Sequence, residues 1–103
     1  MINMAIISVF EDMEPTFAEL SNALIKLGFE DKSNEEHFRF YNGEYDKMIL
    51  LRRKKLHERL DAGRFGAVSS QLAHFGIIEH MDDLGKMIKA MRQAASGQAS
   101  PAK

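Results

Sequence analysis

A chain of 103 residues, 45% of them hydrophobic and with a formal net charge of −1, is sized for one folded domain rather than for wholesale disorder. Its lack of cysteine excludes a disulfide scaffold, a zinc–thiolate site and a thiol nucleophile, and fits a reducing, cytoplasmic setting. The near-neutral charge leaves nucleic-acid binding to a local basic patch, and no apolar run approaches the roughly 20 residues that cross a bilayer, so no membrane contact is expected.

The first element is Ala5-Ile6-Ile7-Ser8-Val9-Phe10, short, apolar and β-branched, which reads as a buried strand. No basic residue precedes it and no small-residue cleavage site follows, so it does not read as a signal peptide. Charge and Pro15 end it. Thr16-x-x-Glu19 has the form of a capping box, and Phe17, Leu20, Leu24 and Leu27 then recur at helical spacing. Gly28 stands where a left-handed cap belongs, with Phe29 beyond it for the usual apolar contact.

Residues 30–35 are polar and read as a turn or a frayed strand end. A hairpin follows over 36–51, centred on Asn42-Gly43, the dipeptide that best tolerates a type I′ turn. With a two-residue loop, Phe38 and Phe40 share a face with Tyr45, Ile49 and Leu51, while His37, Arg39 and Tyr41 share the other with Glu44, Asp46 and Met48. A four-residue loop would change the pairing and keep the alternation within each strand.

Arg52-Arg53-Lys54-Lys55 comes next, and Leu56 and Leu60 suit either a short helical turn ended by Gly63 or a loop. A second helix, from Arg64 or Gly66 to Phe75, turns Val68, Leu72 and Phe75 inward and is capped by Gly76. A third, near 81–95, carries Met81, Leu84, Ile88 and Met91 on one stripe. The pattern predicts a single α+β domain over residues 1–95, with its core at 16–78 and a disordered tail over 96–103.

Residues 16–78 thus read helix, polar turn, hairpin, basic connector, helix, and this resembles the HicA family of small bacterial toxins. The family's first helix looks like E-L-x-x-x-L-x-x-x-G-[FW], and Glu19-Leu20, Leu24 and Gly28-Phe29 fit it with one residue of slack. Its next strand carries a histidine leading into alternating aromatics, as His37-Phe38-Arg39-Phe40 does here. Its connector often holds a second histidine, where this chain has His57. Its last helix has the form G-x-L-x-x-I-L-x-x-x-G-[IL], which the stretch from Gly66 to Ile77 matches in spacing, with Gln71 at a usually aliphatic position.

The resemblance implies an α-β-β-β-α fold like that of double-stranded-RNA-binding domains, here with an extra N-terminal strand and an extra C-terminal helix. It also implies cleavage of messenger RNA by a histidine-dependent mechanism that needs no metal or other cofactor, restrained by a HicB-like antitoxin. His37 is the position that inherits the catalytic role, since histidine titrates near neutrality and can move a proton as a 2′-hydroxyl attacks the adjacent phosphate. Arg39, Tyr41, Arg52, Arg53, Lys54 and Lys55 are the candidate RNA contacts, the cations for phosphate and the tyrosine for stacking.

Each of these residues also has an ordinary explanation. A strand histidine is commonly a surface residue, a run of cations is commonly a solvated face, and Phe38 and Phe40 belong to a core. The chain also departs from the family, because Glu35 and Glu36 replace the small Gly–Ser/Thr pair before the histidine, and two carboxylates repel phosphate. The alternative is therefore a non-catalytic module of the same fold that binds nucleic acid or protein, its added strand and helix forming a homodimer or partner surface.

Overall fold

The computed structural model describes residues 14–97, with side chains to residue 95; the strand expected at residues 5–10 and the tail from 98 onward lie outside them. Helix α1 (Phe17–Lys26) begins at its expected cap. The Thr16 hydroxyl accepts the Glu19 amide at 3.1 Å, and the Glu19 carboxylate accepts the Thr16 amide at 2.9 Å. The two remaining free amides of the first turn reach across the fold, Phe17 N–H to the Glu58 carbonyl at 2.9 Å and Ala18 N–H to that of Leu56 at 3.0 Å. The connector after the sheet thereby completes the helix start. At the other end Gly28 takes φ +100°, and the Phe29 amide returns to the Leu24 carbonyl, a Schellman closure that only a residue tolerant of positive φ makes cheaply.

Strands β1 (Glu30–Asp31), β2 (His37–Asn42) and β3 (Lys47–Arg52) form an antiparallel sheet in the order β1-β2-β3. The polar stretch after α1 is thus a real but very short strand, at the sheet edge among the described residues, Glu30 opposite Tyr41 and Asp31 opposite Phe40. Across the hairpin His37 faces Arg52, Phe38 faces Leu51, Phe40 faces Ile49, and Asn42 faces Lys47.

That register corrects the two-residue turn at Asn42-Gly43. The loop has four residues, 43–46, the positive φ belongs to Asp46 at 55°, and Asn42 is the last residue of β2. The cause is a tertiary demand on Asn42. Its side chain is buried, its Nδ2 donates to the Leu27 carbonyl at 3.3 Å, and its Oδ1 accepts the Tyr45 amide at 3.2 Å. One amide so joins the end of α1 to the hairpin loop. Tyr45 lies in that loop and is exposed rather than facing the core.

Helix α2 (Ala62–Phe75) starts earlier than the apolar pattern indicated, because Asp61 caps it by accepting the Arg64 amide at 2.7 Å. Gly63 therefore sits inside its first turn, while Gly76 at φ +83° ends it as expected. Residues 53–61 are a loop; Leu60 is buried and Leu56 is half exposed. Helix α3 (Asp83–Gly97) follows, with Leu84 and Ile88 buried and Met91 against them. Met81 lies before the helix and is 54% exposed, so it leaves the expected stripe.

Among the described residues the architecture is α+β: a helix, a three-stranded antiparallel sheet and two further helices. The core lies on one face of the sheet, where Phe38, Phe40 and Ile49 meet Phe17, Leu20 and Leu24 of α1, Phe65, Val68 and Leu72 of α2, and the inner side of α3. Phe17 stacks on Phe38 with ring centroids 5.2 Å apart. Lys47 lies 5.1 Å from the Phe75 ring, so the end of α2 lies over the start of β3. Among the described residues the helices leave the other face of the sheet open, with Met48 and Leu50 exposed there.

Candidate nucleic-acid interface

Strand alternation decides what the open face presents. With Phe38, Phe40 and Asn42 turned inward, β2 offers His37, Arg39 and Tyr41 outward, and β3 offers their partners Arg52, Leu50 and Met48. Met48 and Leu50 are 42% and 54% exposed, an apolar strip set among these polar neighbours.

His37 stands at the start of β2, half-buried, directly across from Arg52. Asn34 organises the approach to it. Its side-chain oxygen accepts the amides of Glu36 at 2.9 Å and His37 at 2.8 Å, and its own amide donates to the His37 carbonyl at 2.9 Å. An asparagine that satisfies three backbone groups in a turn makes the strand start at a defined residue. Just before it, Ser33 bonds Asp31 and accepts the Arg39 amide, and the Ser33 hydroxyl and amide hold the Asp31 carboxyl below its ordinary value.

Arg53 locks the other wall. Its amide donates to the Glu36 carbonyl at 2.9 Å, its Nη1 to the Asn34 carbonyl at 3.1 Å, and its guanidinium lies 4.7 Å from the Phe38 ring centre. Glu35, Glu36, His37, Arg52 and Arg53 together line an open cleft of about 520 Å³. A second recess of similar volume, bounded by Arg53, Lys54, Lys55, Leu56 and Glu58, adjoins it at Arg53. The hydrogen bonds from α1 to Leu56 and Glu58 hold that connector in place.

The expected site residues therefore divide. His37, Arg52 and Arg53 come together, with Lys54 and Lys55 next door. Arg39 is exposed on the same face two residues along β2, roughly 7 Å on by strand geometry. Tyr41 is not in the cleft. It lies at the hairpin end of the strand, where its hydroxyl donates to Asp46 at 2.9 Å, and that carboxylate pushes the phenol above its ordinary value. Reasoning from the sequence missed Asn34, whose only signal was its place in a polar turn, and the structural employment of Arg53, which depends on contacts distant in sequence.

Among the described residues no cluster of histidine, aspartate and glutamate is arranged to hold a metal ion, and no helix is long and apolar enough to cross a membrane. Compared with known proteins, the chain matches no protein-family model, no curated protein and no solved structure.

Proposed function

We propose that this chain is an RNA-binding domain of the HicA type that cleaves RNA at the His37 cleft. The observation that supports the reading is the pairing of His37 with Arg52 on the open sheet face, in a cleft that runs on into Lys54 and Lys55. In the reaction His37 takes the proton of a 2′-hydroxyl, and the oxygen bonds to the adjacent phosphorus. The bond to the 5′ oxygen breaks and that oxygen takes a proton from solvent, leaving a 2′,3′-cyclic phosphate and a 5′-hydroxyl. Arg52 meets the negative charge that grows on the phosphate, and Lys54 and Lys55 hold the strand beyond it. A HicB-like antitoxin over this face is the partner the reading implies, in the cytoplasm.

A second reading, a non-catalytic binding module of the same fold, is favoured by one observation: Glu35 and Glu36 line the cleft beside His37. Incubation of the purified protein with single-stranded RNA at low salt tests both. Cleavage to 2′,3′-cyclic phosphate ends, lost in His37→Ala while the fold is retained, is the expected result. Binding that needs residues 52–55 with no cleavage, even after Glu35 and Glu36 are replaced by Gly and Ser, identifies the module. A protein that neither binds nor cuts RNA refutes both nucleic-acid readings and leaves a protein-binding module of the same fold.

A further inference from the structure

His37 and Arg52 stand where a sheet holds least. They are the last pair of the β2–β3 ladder on the connector side, and the end of a ladder opens more readily than its middle. The Arg53 amide donates to the Glu36 carbonyl, so His37 and Arg52 exchange no backbone bonds with each other and belong to the kind of pair whose side chains stand closer. The His37 amide and carbonyl therefore point away from β3, toward the side where β1 lies. But β1 covers only Phe40 and Tyr41. A proton-transfer group placed there needs another support.

Residues 32–34 supply it. The Lys32 amide donates to the Arg39 carbonyl at 2.7 Å, and the Ser33 hydroxyl accepts the Arg39 amide at 3.0 Å. Asn34 takes both backbone groups of His37, its Oδ1 accepting the amide at 2.8 Å and its own amide donating to the carbonyl at 2.9 Å. The same Oδ1 accepts the Glu36 amide at 2.9 Å. Ser33 and Asn34 thus continue the ladder with side-chain oxygens after β1 has ended. Arg53 is the second arm, its Nη1 donating to the Asn34 carbonyl at 3.1 Å and tying the turn back to the end of β3.

Stability asks little of this turn. Asn34, Glu35 and Glu36 are exposed, and water would satisfy the same amides at small cost. Water would not fix their direction. A displacement of about 1 Å at a reacting group costs on the order of a hundredfold in rate. Asn42, at the other end of β2, makes the contrast: it is buried, and its bonds join the Leu27 carbonyl to the Tyr45 amide far from the cleft.

We infer that Asn34 is a positioning residue for His37, acting through the His37 backbone to hold the imidazole across from Arg52; this rests on the RNA-cleavage reading. It is tested on the full-length protein by the kinetics of single-stranded RNA cleavage in Asn34→Ala, Asn34→Asp and Asn42→Ala. In Asn34→Ala kcat should fall at least about tenfold with KM little changed. Asn34→Asp keeps the accepting oxygen and should restore kcat, its added charge raising KM alone. Asn42→Ala, the less stable variant, should keep the wild-type kcat below its melting temperature. In the wild type the Glu36 and His37 amides should exchange with solvent at least about tenfold more slowly than the Glu35 amide, which has no hydrogen-bond partner among the described residues.

Cleavage that is lost in His37→Ala but unchanged in Asn34→Ala overturns the positioning role and leaves the RNA reading standing. A wild type that cuts no RNA overturns both. An equal fall of kcat in Asn42→Ala assigns the loss to stability, and an Asn34→Ala chain that does not fold makes the clamp a requirement of the fold; either result overturns the inference. Glu36 and His37 amides that exchange as fast as that of Glu35 overturn it without any variant.

Discussion

The pairing of Glu19 with Arg92 ties the last helix to the first, and Glu19→Gln isolates its contribution. Arg92 Nε and Nη2 each donate to one carboxylate oxygen of Glu19, at 2.5 and 2.8 Å, with 32% and 29% of the two side chains in solvent. The Arg92 hydrogen bonds, aided by the Thr16 amide and opposed by burial, lower the Glu19 carboxyl from 4.5 to about 2. At about 1.4 kcal/mol per pH unit this shift corresponds to about 3 kcal/mol, and the solvated part of both side chains reduces the expected contribution to about 1–2 kcal/mol. Glutamine still completes a capping box, so the variant loses the charge and keeps the helix start. At pH 7 urea unfolding should show Glu19→Gln less stable by that amount, with melting lowered by roughly 4–16 °C. Because the folded value is the lower one, the contribution is complete above the unfolded value of about 4.5 and vanishes as pH falls through about 2. The gap between wild type and variant should therefore shrink by about half by pH 3. A gap equal at pH 7 and pH 3 would refute the assignment of this stability to the ion pair.

Arg52 and Arg53 should separate binding from stability. Arg52→Gln should weaken RNA binding and lower its salt slope by roughly 0.7 with little change in unfolding, whereas Arg53→Gln should cost about 1–2 kcal/mol by losing its bond to the Asn34 carbonyl and its contact with Phe38. Asn42→Ala should cost about 1–3 kcal/mol in a urea titration, since it strands the Leu27 carbonyl and the Tyr45 amide. Ser69→Ala should raise stability by about 0.5–2 kcal/mol, because the Ser69 hydroxyl is buried in α2 without a hydrogen-bond partner and alanine is the better helix former; a melting temperature that falls would show that the hydroxyl is satisfied.

What was legible in the sequence is what local chemistry decides. Thr16 with Glu19, Gly28 and Gly76 mark helix ends because each satisfies backbone groups within a turn of itself, and they stand where their pattern put them. The alternation of Phe38, Phe40 and Ile49 likewise survived a change of loop length, since the side of a strand depends on parity alone. What was illegible depends on partners far along the chain. β1 is exposed and only two residues long, so it carries no apolar pattern, and its strand character comes from Phe40 and Tyr41 across the ladder. Asn42 looked like a turn residue because Asn-Gly favours positive φ, yet its buried bonds to Leu27 and Tyr45 draw it into β2. The start of α2 was hidden because Gly63 suggests an end, whereas the Asp61 carboxylate makes it the first turn.

The same distinction divides the basic run, and it sets the size of any RNA interaction. Four consecutive cations suggest four phosphate contacts, but the Arg53 guanidinium lies against Phe38 and bonds the Asn34 carbonyl. Arg52, Lys54 and Lys55 remain to meet phosphate, and at about 0.7 per contact on a single strand they give a salt slope of about −2. Glu35 and Glu36 line the same cleft and act against even that. On the proposed RNA reading, affinity from charge alone is therefore modest, and the face needs another source of binding energy. Met48 and Leu50 provide it in kind: an exposed apolar strip between Arg39, Arg52 and Tyr41 suits the faces of unstacked bases or the side chains of a partner protein, and not the phosphates of a regular duplex. On the proposed reading a single strand lies across β2 and β3 with its backbone on the connector and its bases toward the strip, away from Glu35 and Glu36.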